Sequence, residues 1–196
     1  GGWVTVSSII SPMMVQMDRF MIASMISAAA VTVYVVPYEL VAQSLILVGA
    51  ISSVIFPTLT RLMQEQPQEW LSYFQTWLVR VGGMMLLVAL LMILLMPYIL
   101  DIWLQGNFDP TSVTVGQILC LGVFSNSVGA MYYALLHARG KAHITAKIHM
   151  FELPLYLTFL YFALQHFGVI GAAMAWSARM ALDTILLSLN ARRLKF

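Results

Sequence analysis

WLVRVGGMMLLVALLMILLMPY, residues 77–98, carries one charged side chain, Arg80, in 22 positions. At 1.5 Å of rise per residue a helix of this length covers about 33 Å, enough to cross ~30 Å of hydrocarbon. From Met84 to Met92 the run is apolar on every side, so this helix is expected at the lipid-facing outside of a bundle. The charges beyond it alternate from gap to gap. Arg61 and Arg80 flank the gap before it, Arg139, Lys141 and Lys147 fill the gap after next, and Arg192, Arg193 and Lys195 close the chain. The intervening gap, 101–110, offers only Asp101 and Asp109. Short loops rich in Lys and Arg stay on the cytoplasmic side, so this alternation reads as a chain threaded back and forth through a membrane.

Composition agrees. The 196 residues are 61% hydrophobic and 9% charged, and the mean hydropathy is +0.86; a water-soluble domain carries about 25% charged residues. The expected fold is an all-α integral membrane protein, a single lobe of six transmembrane helices covering residues 1–196, near 3–27, 31–56, 77–98, 113–136, 144–165 and 169–189. An even number of spans puts both chain ends in the cytoplasm. The positive charges orient the chain and call for membrane lipid, not nucleic acid, as their partner. Residues 61–76 mix Gln64, Glu65, Gln66, Gln68 and Glu69 with Trp70, Tyr73 and Phe74, followed by Trp77, which predicts a helical segment lying in the interface or an amphipathic linker. The chain opens on Gly1 with no basic leader or cleavage site, so its first segment does not read as a signal peptide and the whole reads as a piece of something longer.

Six ionisable residues fall inside the expected spans: Asp18, Arg19, Glu39, Glu152, Arg179 and Asp183. Each costs about 2.5–3.5 kcal/mol at a helix centre, so each is expected to face the bundle interior or a wet cavity and to find a partner. In the first span Thr5, Ser8, Pro12 and Arg19 share a face, with Ser11 and Asp18 beside it. In the second, Thr32, Glu39, Gln43, Ala50, Ser53 and Pro57 form another stripe. Counting from the tight connection at Ala28 to Ala30 puts Asp18, Arg19 and Glu39 at one depth. They read either as a helix-holding ion pair or as a cavity lining.

Arg179 lies near the middle of the last span, with Asp183 one turn on and Ala172, Ala175 and Asn190 extending its face. An arginine at this depth cannot easily snorkel to an interface, and its planar donor fork suits a phosphate; Asp183 as an intrahelical partner is the alternative. Glu152 lies at the depth of Asp183, between His149 and Pro154, and reads either as a proton-coupling carboxylate or as a satisfied cap. Pro12, Pro37 and Pro154 permit bending, and Gly168 with Gly171 and Gly122 with Gly129 mark close helix packing. The lone Cys120 excludes an intrachain disulfide. His137, His143, His149 and His166 lack metal-site spacing, and no phosphate loop or nucleophile elbow occurs. No enzyme, cofactor or metal centre is expected.

GWVTVSSIISP (2–12), MDRF (17–20), YVVPYE (34–39) and FPTLTR (56–61) resemble the seventh and eighth helices of bacterial polysaccharide flippases, of the multidrug, oligosaccharidyl-lipid and polysaccharide exporter superfamily. HMFELPLY (149–156) and GVIGAAMAWSARMALD (168–183) resemble that family's last two helices. The resemblance implies the C-terminal lobe of a two-lobe inner-membrane transporter that moves undecaprenyl-pyrophosphate-linked oligosaccharide from the cytoplasmic to the periplasmic leaflet. It implies, as partners, a missing N-terminal six-helix lobe or a second copy. It further implies Arg19 and Arg179 as ligands of the anionic headgroup, and Asp18, Glu39, Glu152 and Asp183 as their charge partners or as proton-coupling sites. A drug or cation antiporter of the same superfamily and a non-transporting membrane scaffold are the competing readings.

Overall fold

The computed structural model describes residues 2–193, and of these the side chains of residues 2–4, 6–12 and 15 lie outside the description, as do Gly1 and Lys195. The expectations for Ser8, Ser11, Pro12 and the two chain ends therefore fall outside the described residues. The described chain is helical throughout, without a strand, in five helices: α1 (Gly2–Met25), α2 (Ala28–Glu65), α3 (Trp70–Leu104), α4 (Thr111–Ala138) and α5 (Ala142–Arg193). By length and composition α2 to α5 are able to cross a membrane. Within α2, Gln43 and Ser44 keep right-handed dihedrals. The amides of Ile46 and Leu47 donate to the Gln43 and Ser44 carbonyls at 3.1 and 3.2 Å, a short 3₁₀ stretch that leaves one continuous rod.

The expected count of six separate helices is thus corrected to five. The two segments expected at 144–165 and 169–189 belong to one 52-residue element whose only non-helical dihedrals are at Gly168, φ 57° and ψ −139°. A straight helix would hold residues 149 and 183 about 51 Å apart. Instead His149 Nε2 lies 3.8 Å from Asp183 Oδ1 and Arg179 Nε lies 4.0 Å from Glu152 Oε2. The element therefore folds back at Gly168 into two antiparallel arms, through a backbone conformation that glycine alone adopts without strain. Just beyond the turn the arms touch so closely that a Cβ at Gly171 would run into the Ala163 carbonyl.

The centre of the bundle is α4, packed against α5, α3 and α2, while α1 lies on α5 and α2. Gly122 gives the Trp176 ring its place, and the hydroxyls of Ser177 and Thr184 donate to the Ile118 and Ser125 carbonyls of α4 at 2.9 and 2.7 Å. Small residues and hydroxyl bonds to neighbouring backbone are the usual adhesive between helices where apolar burial offers no advantage over lipid. At the edge of the bundle, α3 buries Val81, Met85, Ala89, Met96 and Leu100 and turns Leu86, Leu87, Leu90, Leu91, Leu94 and Leu95 outward. The stretch 61–76 is no separate element: it supplies the last turn of α2, a short turn, and the first turns of α3. Ser27 caps α2 by accepting from the Ala30 amide at 3.1 Å. Asp109 accepts from the Thr111 amide at 2.8 Å ahead of α4, and hydrogen bonding with Thr111, first by its side chain and then by this amide, holds the Asp109 carboxyl below the ordinary aspartate value.

Because the atoms facing Gly171 are backbone, they cannot step aside. Gly171→Ala is expected to lower unfolding stability in detergent by about 1–3 kcal/mol. The control Gly49→Ala, whose Cβ meets nothing within 4 Å, should be neutral or stabilising by up to ~1 kcal/mol. Equal unfolding curves for the two variants would contradict the close turn.

Candidate functional site

The hairpin of α5 determines the site. One arm carries His149, Glu152 and Tyr156 at helical spacing, the other carries Trp176, Arg179 and Asp183, and the fold-back at Gly168 sets the two rows face to face. Glu152 is 1% exposed, Arg179 7% and Asp183 9%. The Arg179 guanidinium lies 5.4 Å from the Tyr156 ring centroid. The Arg179–Glu152 separation of 4.0 Å is an ion pair too long for a direct hydrogen bond, and Arg179 Nε, Arg179 Nη1 and both Glu152 oxygens have no hydrogen-bond partner among the described residues. Beside them a cavity of about 90 Å³ is lined by Glu152, Tyr156, Phe159 and Arg179. It is roomy enough for waters to bridge the pair.

The intrahelical pair of Arg179 with Asp183, the alternative reading of that arginine, is not the contact made. Asp183 turns to His149 across the hairpin, while Arg179 turns to Glu152. One carboxylate oxygen each of Glu152 and Asp183 and a ring nitrogen of His149 lie within 4.8 Å of one another, the one group among the described residues with the reach to hold a metal ion. The neighbouring guanidinium opposes a divalent cation there.

Asp18 and Arg19 are adjacent in sequence, yet they leave α1 about 100° apart and meet different surroundings. Asp18 is wholly buried, accepting from the Tyr34 hydroxyl of α2 at 2.7 Å and from the Tyr156 hydroxyl of α5. It thereby ties three helices at one point. Arg19 instead pairs with Glu39 across α1 and α2, with its guanidinium 5.7 Å from the Tyr38 ring. Their side chains remain 28% and 48% exposed. The whole α2 stripe of Thr32, Glu39, Gln43, Ala50, Ser53 and Pro57 is exposed, while Tyr34, Pro37 and Val41 of the same helix are buried. The stripe thus faces away from this bundle.

The chain is 35% identical over 187 residues to the protein named "Putative O-antigen transporter" of Shigella flexneri, a match covering 95% of this chain and 44% of that protein. It is also 24% identical over 195 residues to the lipopolysaccharide biosynthesis protein WzxC of Escherichia coli strain K12, covering 95% of this chain and 38% of that one. The chain is a homologue of both proteins. It spans less than half the length of these relatives. No protein-family model and no solved structure matches it. In this chain the buried charges come from α1 and α5, and the exposed charge pair from α1 and α2.

Tyr34, Tyr38 and Tyr156 were not singled out by a reading that followed charges, although Tyr156 stands one turn beyond Glu152 and Tyr34 one turn before Tyr38. The rings of Tyr34 and Tyr38 stack at 5.8 Å, and Tyr38 meets Trp176 edge-on at 5.4 Å, which carries the aromatic wall from α2 to α5. Tyr34→Phe and Tyr156→Phe each remove one hydrogen bond to a buried carboxylate, so each is expected to lower unfolding stability in detergent by about 1.5–3 kcal/mol. The check is a cycle with Asp18→Asn, in which either tyrosine change should lose much of its effect; undiminished effects in the Asp18→Asn background would contradict the network.

Proposed function

We propose that this chain is one lobe of a transporter, not an enzyme, and that the complete protein flips undecaprenyl-pyrophosphate-linked oligosaccharide from the cytoplasmic to the periplasmic leaflet of a bacterial inner membrane. The reading rests most directly on the exposed stripe of α2. A polar face with an ion pair is costly against lipid, so it calls for a wet cavity shared with another lobe or a second copy. For its part, α3 offers lipid a face of leucine. The two arms of α5 act in this reading as the fifth and sixth membrane crossings, which returns both ends of the chain to the cytoplasmic side where Arg192 and Arg193 stand exposed.

Arg19 then meets the anionic headgroup or glycan from the cavity wall, with Glu39 holding its guanidinium in place. Arg179 is sheathed by Glu152, Tyr156 and the opposing arm, and it reaches substrate only when the hairpin or α1 shifts. Asp18, Glu152 and Asp183 supply three carboxylates to one guanidinium, Arg179, in the buried layer. Two protons or monovalent cations would balance the excess, and their entry or exit gives a gradient a means to bias the packing of α1 against α5. The names of the two relatives support the polysaccharide assignment over the antiporter of small cations.

In the complete protein, exchanging the pair, Arg19→Glu together with Glu39→Arg, keeps an ion pair between α1 and α2 but reverses its placement in the cavity. Surface polysaccharide is expected to fall by roughly tenfold or more with normal protein abundance in the membrane, the loss of about 1.4 kcal/mol or more of productive interaction. Unchanged export in the exchanged variant would assign the pair a purely structural role and favour the scaffold.

A further inference from the structure

A second polar concavity lies at the end of the bundle that carries Arg61 and Lys141. The last turns of α2, the start of α3 and the turn between α4 and α5 enclose an open cleft of about 560 Å³ lined by Thr60, Met63, Gln64, Trp70, Arg139 and Lys141. None of these residues belongs to the Arg179 site. The turn that presents the two cations is tightly specified. Gly140 takes φ 69°, the Lys141 amide donates to the Leu136 carbonyl at 2.8 Å, and the Gly140 amide donates to the His137 carbonyl at 2.9 Å. This is the hydrogen-bond pattern of a Schellman stop, and it sets Arg139 and Lys141 on either side of the glycine.

Arg139 lies with its guanidinium 4.5 Å from the ring centroid of Trp70, which is itself buried. Partial burial pulls the Arg139 pKa down from the ordinary arginine value, but an arginine keeps its charge at any working pH. Lys141 forms no ion pair with a described residue, whereas the nearby Arg61 is already met by Glu65 at 3.8 Å. Among the described residues the lining thus offers two positive charges and no carboxylate. Its depth follows from α3: Tyr73 and Trp77 stand 6.4 Å apart just beyond Trp70, and the Arg80 guanidinium lies 5.1 Å from the Trp77 ring. Such a belt of aromatic and basic side chains marks the membrane–water boundary.

We propose that this cleft binds the phosphate of an anionic membrane lipid. Arg139 and Lys141 hold the phosphate oxygens, Thr60 and Gln64 stand beside the polar headgroup, and Met63 and Trp70 cover the glycerol and the first acyl carbons. The volume lies within the range of small-ligand sites, and basic pockets between membrane helices are the recognised setting for lipid phosphates. A soluble anion would use the same two cations but would gain nothing from the apolar wall.

The test uses the complete protein in nanodiscs or detergent, with phosphatidylglycerol as the probe, phosphatidylcholine as the uncharged comparison and inorganic phosphate as the soluble one. Retained lipid is counted by native mass spectrometry. Phosphatidylglycerol should be retained in preference to phosphatidylcholine, Lys141→Gln should weaken it about fivefold, and Lys141→Arg should keep it. Lys141 decides the matter because its side chain forms no ion pair or hydrogen bond with a described residue, and an unchanged unfolding curve for Lys141→Gln checks that the fold is kept; adding Arg139→Gln should remove the preference altogether. Equal phosphatidylglycerol retention by wild type and Lys141→Gln overturns the proposal. Displacement of the lipid by millimolar inorganic phosphate would overturn the lipid as the source while leaving a phosphate site at Arg139 and Lys141.

Discussion

A guanidinium inside a membrane helix must be matched, and the match for Arg179 is made by folding one helical element back on itself. Glu152 stands against it from the other arm, Asp183 is held off by His149, and the ring of Tyr156 covers its face. Unpaired, any of these groups would cost several kcal/mol in a dry interior. The pairing therefore restricts where the arms of α5 can sit relative to each other, and the turn at Gly168 and the contact at Gly171 have to accommodate it. Asp18 extends the same constraint to α1 and α2 through two tyrosine hydroxyls. Four segments are thus tied together by polar contacts at a level where apolar burial gives no driving force.

The remaining surfaces divide by chemistry. On α3 the outward side chains are leucines, suited to lipid, while on α2 the outward stripe is Thr32, Glu39, Gln43 and Ser53 with Arg19 against Glu39. One helix bundle with an oily face and a wet face is half of an enclosure. That division, more than any single residue, is what supports the proposed transporter lobe.

Hydropathy and the spacing of Lys and Arg were enough to place the helical segments, because membrane insertion depends on just those quantities. The relative depth of Arg19 and Glu39 could also be counted from the tight connection, expected at Ala28 to Ala30 and found two residues earlier at Ile26 and Ser27. Partner choice could not be counted. Arg179 and Asp183 share a helix face at one-turn spacing, which suggests a local pair, but the opposite arm of the hairpin brings Glu152 and His149 closer to the charged ends of those side chains. Likewise Asp18 and Arg19 are sequence neighbours, and only the placement of α5 against α1 shows that one points into the bundle and the other out. The hydroxyls of Tyr34 and Tyr156 escaped notice because tyrosine inside an apolar helix ordinarily signals packing. The sixth independent helix was lost because α-helical hydrogen bonding runs further than apolar composition does, up to both sides of Gly168.

The most direct test of the central claim is a double-mutant cycle on Glu152→Gln and Arg179→Gln, read as reversible unfolding of the complete protein in detergent. Each single change strands a buried charge and should cost about 3–5 kcal/mol, and the double variant should be more stable than the sum of the two by about 1–3 kcal/mol. Strict additivity would mean that the two side chains do not meet, and that the hairpin is held together by something other than its charges.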